Sequence, residues 1–359
     1  MTMTTSPSKG QSAPDVRPLI FWEGFPPCGL MIKRISDRFG ADLVVMGTRA
    51  AVPFEGLEQE LGREIIWLDR PDDIWERRDE FADRNLVIHT GWVHKGWLKF
   101  DRWMKERGAT IVFAADNSYK GNMRQAIGAI WFRLWLRRHF DAAIVPGRTS
   151  RRLLEFLGMQ PTRIFEGYYG AYEGLYHAGP PIETRAREFL FVGQLIERKG
   201  VDILIEAFHL YRDAGGTWDL RIVGSGPLAD RCSGTGVIFD GFCQAATVSE
   251  KMRSAAALVV PSREDHWATV VCEAAAAGTP VIASKWVGAS VDLIRHGING
   301  LVFHKMEPTA LANELKTMEN WSPILRRDAS EISKSIAETY NSSCYETSFE
   351  SVAQLLGKR

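Results

Sequence analysis

From Pro18 onward, short apolar runs rich in β-branched residues alternate with longer stretches whose apolar positions recur at helical spacing. The runs predict strands over 18–22, 42–46, 64–68, 85–89, 110–114 and 142–146. Helical patterns lie between several of them, as over 30–38 and 95–107, and a helix over 149–157 stops at Gly158, a residue suited to a left-handed C′ position. Over 166–184 the rhythm fails: EGYYGAYEGLYHAGPPIET holds glycines, tyrosines and paired prolines but no periodic element. Strands then resume over 188–192, 219–223, 236–240, 257–261, 280–284 and 300–303. Alternation of this kind predicts parallel α/β architecture. The chain divides into a first Rossmann-like half over 17–170, a linker over 171–187 and a second Rossmann-like half over 188–335. Two doubly wound sheets in tandem would face across a cleft, because open α/β sheets bind ligands at the C-terminal ends of their strands.

Composition narrows the classes. The 359 residues are enough for two domains, and 45% hydrophobic with 25% charged residues is the balance of an ordinary globular chain. Forty-four basic residues match forty-four acidic ones, so no global charge argues for nucleic acid as a partner. Cys28, Cys232, Cys243, Cys272 and Cys344 are odd in number and lack metal-ligand spacing, which suits unpaired thiols in a reducing cytoplasm. Residues 1–16, rich in Ser, Thr and Pro, read as a disordered tail and not as a signal peptide. No apolar run approaches the roughly 18–20 residues needed to span a bilayer, so the expectation is a soluble or peripheral cytoplasmic protein.

The chemistry concentrates in PSREDHWATVVCEAAAAGTPVIAS, residues 261–284. This stretch leaves a strand, crosses a polar loop and enters a helix near Ala268 that ends at Gly278. The first-turn amides of such a helix lack intrahelical partners, and its dipole places partial positive charge there. Small Ala268 and neighbouring Thr269 would let a phosphate approach those amides. Asp265 in the loop and Glu273 eight residues later flank the helix start. Carboxylates suit sugars because each oxygen accepts hydroxyl hydrogen bonds that charge strengthens.

This stretch resembles the signature of glycosyltransferase family 4, whose members have the GT-B fold of two facing Rossmann-like domains. Pro261, Ser262, Asp265, Trp267 and Glu273 fall in the family's register, followed by the family-like EAAAAGTPVIAS. FVGQLIERKGVDILIEAF, residues 191–208, resembles the family's strand and its Lys-Gly helix opening. The resemblance implies that Glu273 grips the donor's ribose hydroxyls, that Asp265 contacts the donor hexose and that Lys199 neutralises the donor phosphates. Gly193, Gln194, Arg198, Glu264, His266, Trp267, Ala268, Thr269 and Val270 are the further donor-side candidates, with Gly29 of the PPCGL loop on the first half. The chain departs from the family at three points: Asp265 stands where Glu is usual, Ala268 where Gly is usual, and Gln194 where Arg is usual. Glu264 is therefore an alternative to Asp265 as the sugar-contacting acid. Gly224 and Gly226 permit either tight turns or a site loop.

The implied activity is hexose transfer from a nucleotide diphosphate sugar with retention of configuration and no metal. The departing phosphate would take the acceptor's proton. The acceptor would be a glycan or lipid-linked molecule of bacterial-type polysaccharide or lipopolysaccharide synthesis. Two rivals are a nucleotide-sugar 2-epimerase on the same fold and a non-catalytic nucleotide-sugar-binding subunit. His89, His94 and Asp116, at the ends of first-half strands, are acceptor-side candidates or satisfied structural groups. Residues 117–140 carry five basic residues and no acid, interleaved with tryptophans. The pattern fits either a buried helix or contact of 124–140 with an anionic membrane. The family likeness also implies that the last segment, 336–359, returns to the first half as a helix.

Overall fold

A computed structural model describes residues 15–25, 27–50 and 54–356. The tail expected over 1–16 lies outside the described residues except for its last two positions, as does Pro26 of the PPCGL loop. The first half holds strands β1 (Pro18–Trp22), β2 (Val44–Thr48), β3 (Ile66–Leu68), β4 (Leu86–His89), β5 (Thr110–Ala114), β6 (Ala142–Val145) and β7 (Ile164–Glu166). All pair in parallel, in the order β3-β2-β1-β4-β5-β6-β7. The second half holds β8 (Ala186–Val192), β9 (Asp219–Val223), β10 (Val237–Gly241), β11 (Ala255–Val260), β12 (Val281–Ser284) and β13 (Gly300–Phe303). These are parallel too, in the order β10-β9-β8-β11-β12-β13. Central strands such as PLIFW and AAALVV are buried at every position, because helices cover both faces of each sheet. These two parallel-sheet domains are the GT-B fold.

Differences from the pattern are local. The strand expected over 42–46 begins at Val44 because Gly40–Asp42 forms a turn of 3-10 helix. Strand β7, not expected from the sequence, ends where the stretch that reads as patternless begins; at three residues it is too short to show alternation. The helix expected over 30–38 opens as a 3-10 turn, Pro27–Ile32, and becomes α-helical over Lys33–Phe39.

The two halves are joined twice. Ala171 N donates to Tyr340 O at 2.9 Å, so the outgoing and returning strands of the connection run side by side. Helix Ser342–Ala353 then packs on the first half, burying Tyr345 and Phe349 beside Trp22 and Tyr168. Across the cleft, Ser118 Oγ donates to His266 O at 2.8 Å and Arg148 Nε to Asp292 Oδ1 at 2.5 Å.

The basic stretch becomes helix Met123–Trp131, a π turn Phe132–Leu136 and a 3-10 turn Arg137–His139. Burial accounts for one face only. Ala129, Phe132 and Leu136 point into the core, whereas Met123, Ile127, Ile130, Trp131, Leu134 and Trp135 are exposed. Among the described residues no helix is long and apolar enough to cross a membrane.

Candidate functional site

Helix Thr269–Ala277 follows β11 and supplies the centre of the site. Its N-cap, Ala268, has φ 65° and ψ 79°, and it alone among the described non-glycine residues has positive φ. A Cβ in this region costs about 1–2 kcal/mol. Neighbouring bonds hold it there: Ala289 N donates to Trp267 O at 2.9 Å and Val271 N to Ala268 O at 3.0 Å. The result aims the helix start, with Ala268, Thr269 and Val270, into a cavity of about 450 Å³.

The cavity collects the loops that leave three second-half strands. Val192 ends β8 and Gly193 and Gln194 follow it, Val223 ends β9 and Gly224 and Ser225 follow it, and Phe242 to Ala245 follow β10. Arg198, Lys199 and Glu273 complete this wall with Tyr176, whose ring packs in the second-half core, while Cys28 and Phe54 come from the first half. Two glycines make the close approaches possible. A Cβ on Gly224 would sit 1.8 Å from Gly193 O, and one on Gly200 would sit 2.0 Å from Pro261 O. Gly224 thus serves the packing of the site loop itself, and Gly200 sets Lys199 against the end of β11.

Lys199 Nζ donates to Asp265 Oδ2 at 2.6 Å, and Ser262 Oγ lies 3.4 Å from the same oxygen. Glu264 points the other way and pairs with Lys120 of the first half at 2.5 Å. The two acids that the sequence leaves as alternatives are therefore separated: Asp265 faces Lys199, and Glu264 fastens the two halves. Arg198 Nη1 donates to Glu264 O at 3.0 Å, which ties its guanidinium to the same loop. Glu273 is buried in the cavity wall. Burial pushes its carboxyl up to about 7, opposed by a hydrogen bond from the Tyr176 hydroxyl.

Other candidates lie elsewhere. Trp267 is not at the cavity surface; its ring is buried against Gly147 and Tyr340, and it anchors the strained loop from behind. His266 sits at the seam, its carbonyl held by Ser118 and its side chain facing Asp116. Gly29 lies beneath the Phe25 ring, and it is the adjacent Cys28 that reaches the cavity. His89 does not reach the cleft at all. It is buried, stacked on Trp97 at 4.5 Å, with Nε2 3.1 Å from buried Asp101 Oδ1. The pattern that marked it as a strand-end histidine could not reveal that its side chain turns into the core. His94 and Asp116 line a second cavity, of about 470 Å³, on the first half. Burial raises the Asp116 carboxyl above its ordinary range, with His266 the main opposing influence. Sequence reasoning missed Cys28, Phe54 and Tyr176; only the tyrosine density of the patternless stretch hinted at the last.

Residues 186–320 match the family model described as glycosyl transferases group 1. An uncharacterized glycosyltransferase of Methanocaldococcus jannaschii is 34% identical over 139 residues, 36% of this chain and 35% of that protein. A D-inositol 3-phosphate glycosyltransferase of Catenulispora acidiphila is 28% identical over 46% of each chain. Matches of this kind span less than half the length of those relatives. The lipopolysaccharide 1,6-galactosyltransferase of Salmonella typhimurium is 23% identical over 70% of this chain and 78% of its own. Among solved structures, HepE of Anabaena in complex with UDP and glucose superposes with a TM-score of 0.74 at 15% identity, covering 95% of this chain and 100% of its own.

The cavity wall sets two expectations for stability. Ala268→Gly relieves the left-handed strain and is expected to raise stability by about 1 kcal/mol, read as a higher melting temperature. A lower melting temperature would show that the Cβ contributes packing that outweighs the strain. For Glu273, the folded-state value of about 7 lies above the ordinary carboxyl value of 4.5. Its protonated form therefore stabilises the fold fully below 4.5, and that contribution is lost as pH rises to about 7. Glu273→Gln should remove this loss, so its advantage over the wild type grows from pH 5 to pH 8, reaching on the order of 3 kcal/mol. A pH-independent difference would contradict the burial of an ionisable group there.

Proposed function

We propose that this protein is a retaining glycosyltransferase of family 4 that moves a hexose from a nucleoside diphosphate sugar to a glycan or lipid-linked acceptor. The observation that carries this reading is the convergence, on one cavity, of an exposed helix start, a lysine and a buried carboxylate. The helix amides and Lys199 would meet the diphosphate, the only group in the reaction whose negative charge grows as the bond breaks. Glu273, on the same wall and inside that helix, would accept the ribose hydroxyls. Asp265, next to Lys199, would contact the hexose. In the reaction the bond between the anomeric carbon and the phosphate oxygen breaks while the acceptor oxygen bonds to the same face of that carbon. The acceptor proton passes to the departing phosphate. Gln194 in place of a second cation leaves Lys199 and Arg198 as the cationic side chains of this wall. No metal is assigned a part.

The solved structure in complex with UDP and glucose makes UDP the first nucleotide to test. The relation to a lipopolysaccharide galactosyltransferase supports polysaccharide or lipopolysaccharide assembly as the setting. The exposed face of 123–135, with Arg124, Arg137 and Arg138 beside it and no acid in the stretch, supports docking at an anionic membrane surface from the cytoplasmic side.

Melting temperatures with UDP-, GDP-, ADP- and CMP-sugars, with and without EDTA, test the donor site. One nucleotide class should raise the melting point, EDTA should leave the shift intact, and Glu273→Ala or Lys199→Ala should reduce it and abolish transfer. No shift from any nucleotide would sink the transferase reading, and a second nucleotide sugar formed from donor alone would replace it with epimerisation. For the membrane face, the protein should sediment with phosphatidylglycerol vesicles but not with pure phosphatidylcholine. Ile130→Ser with Leu134→Ser should release it; a wild-type protein left in the supernatant refutes the docking.

A further inference from the structure

The first sheet has its own topological switch point. Strand order reverses between β1 and β4, with β2 on one side and β5 on the other. Open parallel sheets bind ligands in the crevice outside the strand ends at that point. The cavity of about 470 Å³ lies there, formed by the C-terminal ends of β1, β4 and β5 and the loops that leave them. Glu23 and Trp22 come from the first of these ends, Trp92 and His94 from the second, and Asp116 from the third; Tyr169 closes the wall.

The groups are arranged as a polar rim on an aromatic base. His94 Nε2 lies 3.1 Å from Glu23 Oε2, and the Tyr169 hydroxyl donates to Asp116 Oδ2 at 3.4 Å. Trp92 packs on Phe113 and Phe132, which fixes its ring. Tyr169 stacks on Trp22 with centroids 6.4 Å apart. No lysine or arginine lines the cavity among the described residues. Its ionisable groups are two carboxylates and His94, which is already paired with Glu23, so a phosphate brought here would meet like charge in a partly desolvated place. Hydroxyls would instead find acceptors in both carboxylates, and the apolar face of a pyranose ring would find flat aromatic surface.

One wall residue, Asp116, lies toward the second half. Asp116 interacts electrostatically with His266 and Asp265 across the cleft, and with Cys28, which lines the donor cavity. Asp116 is thus the wall residue of this cavity nearest in influence to the donor side.

We propose that this cavity binds the acceptor as an uncharged, hydroxyl-rich sugar unit and rejects a phosphorylated unit at the same position. The assignment of this sugar as the acceptor rests on the transferase reading above. Glu23, His94 and Asp116 hold the hydroxyls, and Trp92 carries the ring.

Saturation-transfer NMR on the full chain with UDP present tests it, using methyl glucoside, methyl galactoside and methyl N-acetylglucosaminide against glucose 6-phosphate. At least one neutral glycoside should bind, and glucose 6-phosphate should bind at least tenfold more weakly. Glu23→Lys should cut neutral binding at least fivefold and narrow the gap to the phosphate ester. His94→Ala, on an exposed loop, should also weaken neutral binding. The UDP melting shift should stay at its wild-type size in both variants. Preference for the phosphate ester overturns the ligand class. Neutral binding unchanged in both variants, or absent in the wild type, overturns the site. A missing UDP shift with variant-sensitive glycoside binding would count against the transferase reading and leave the sugar site standing.

Discussion

A parallel strand can be followed by its neighbour only after the chain has crossed back over the sheet, so the loops leaving the strand C-termini collect along one edge. Every candidate group that reaches the cleft depends on this constraint. Lys199, Ser225, Gln244 and Thr269 are far apart in the chain, yet all follow strands of one sheet and line one cavity. Glu23, His94 and Asp116 are assembled by the same rule in the other half. The two edges then face each other because the chain crosses between the halves twice, at Ala171 and at Tyr340, and the returning helix buries Tyr345 and Phe349 in the first core.

Around this seam the structure carries features that oppose stability. Ala268 is held in a conformation that L residues avoid, Glu273 is buried far from full compensation, and desolvation raises the Asp116 carboxyl despite its backbone and Tyr169 hydrogen bonds. Such features persist where surrounding structure over-determines them, and they cluster at sites of binding. Here the surroundings are the Trp267 anchor, the Gly224 and Gly200 close contacts and the interdomain bonds of Ser118 and Lys120. The Lys199–Asp265 pair is a different case. The two charges satisfy each other, and the pairing holds the lysine in place against the loop after β11.

The charge contrast between the two cavities bears on specificity. One holds Arg198, Lys199 and helix amides beside a single carboxylate; the other holds two carboxylates and no fixed cation among the described residues. On the proposed reading, this contrast would sort a ligand with a diphosphate and a ligand with only hydroxyls to opposite sides of one cleft.

By itself the sequence determined the alternation of strand and helix, and with it the two parallel sheets, because β-branched runs bounded by turns survive any packing. It also marked the helix start after 261–268, since the Pro-Ser loop, the two acids and the Ala-rich helix lie together in the chain. Tertiary structure alone decided which of those residues share a surface. Asp265 and Glu264 are neighbours in sequence, yet one meets Lys199 and the other Lys120, because successive side chains of an extended loop point opposite ways. His89 and His94 looked alike as strand-end histidines, but one turned into the core and the other lines a cavity. Tyr176 and Cys28 had no periodic signal, since contact between distant segments brings them to the second-half cavity, and contact of that kind leaves no period in the chain.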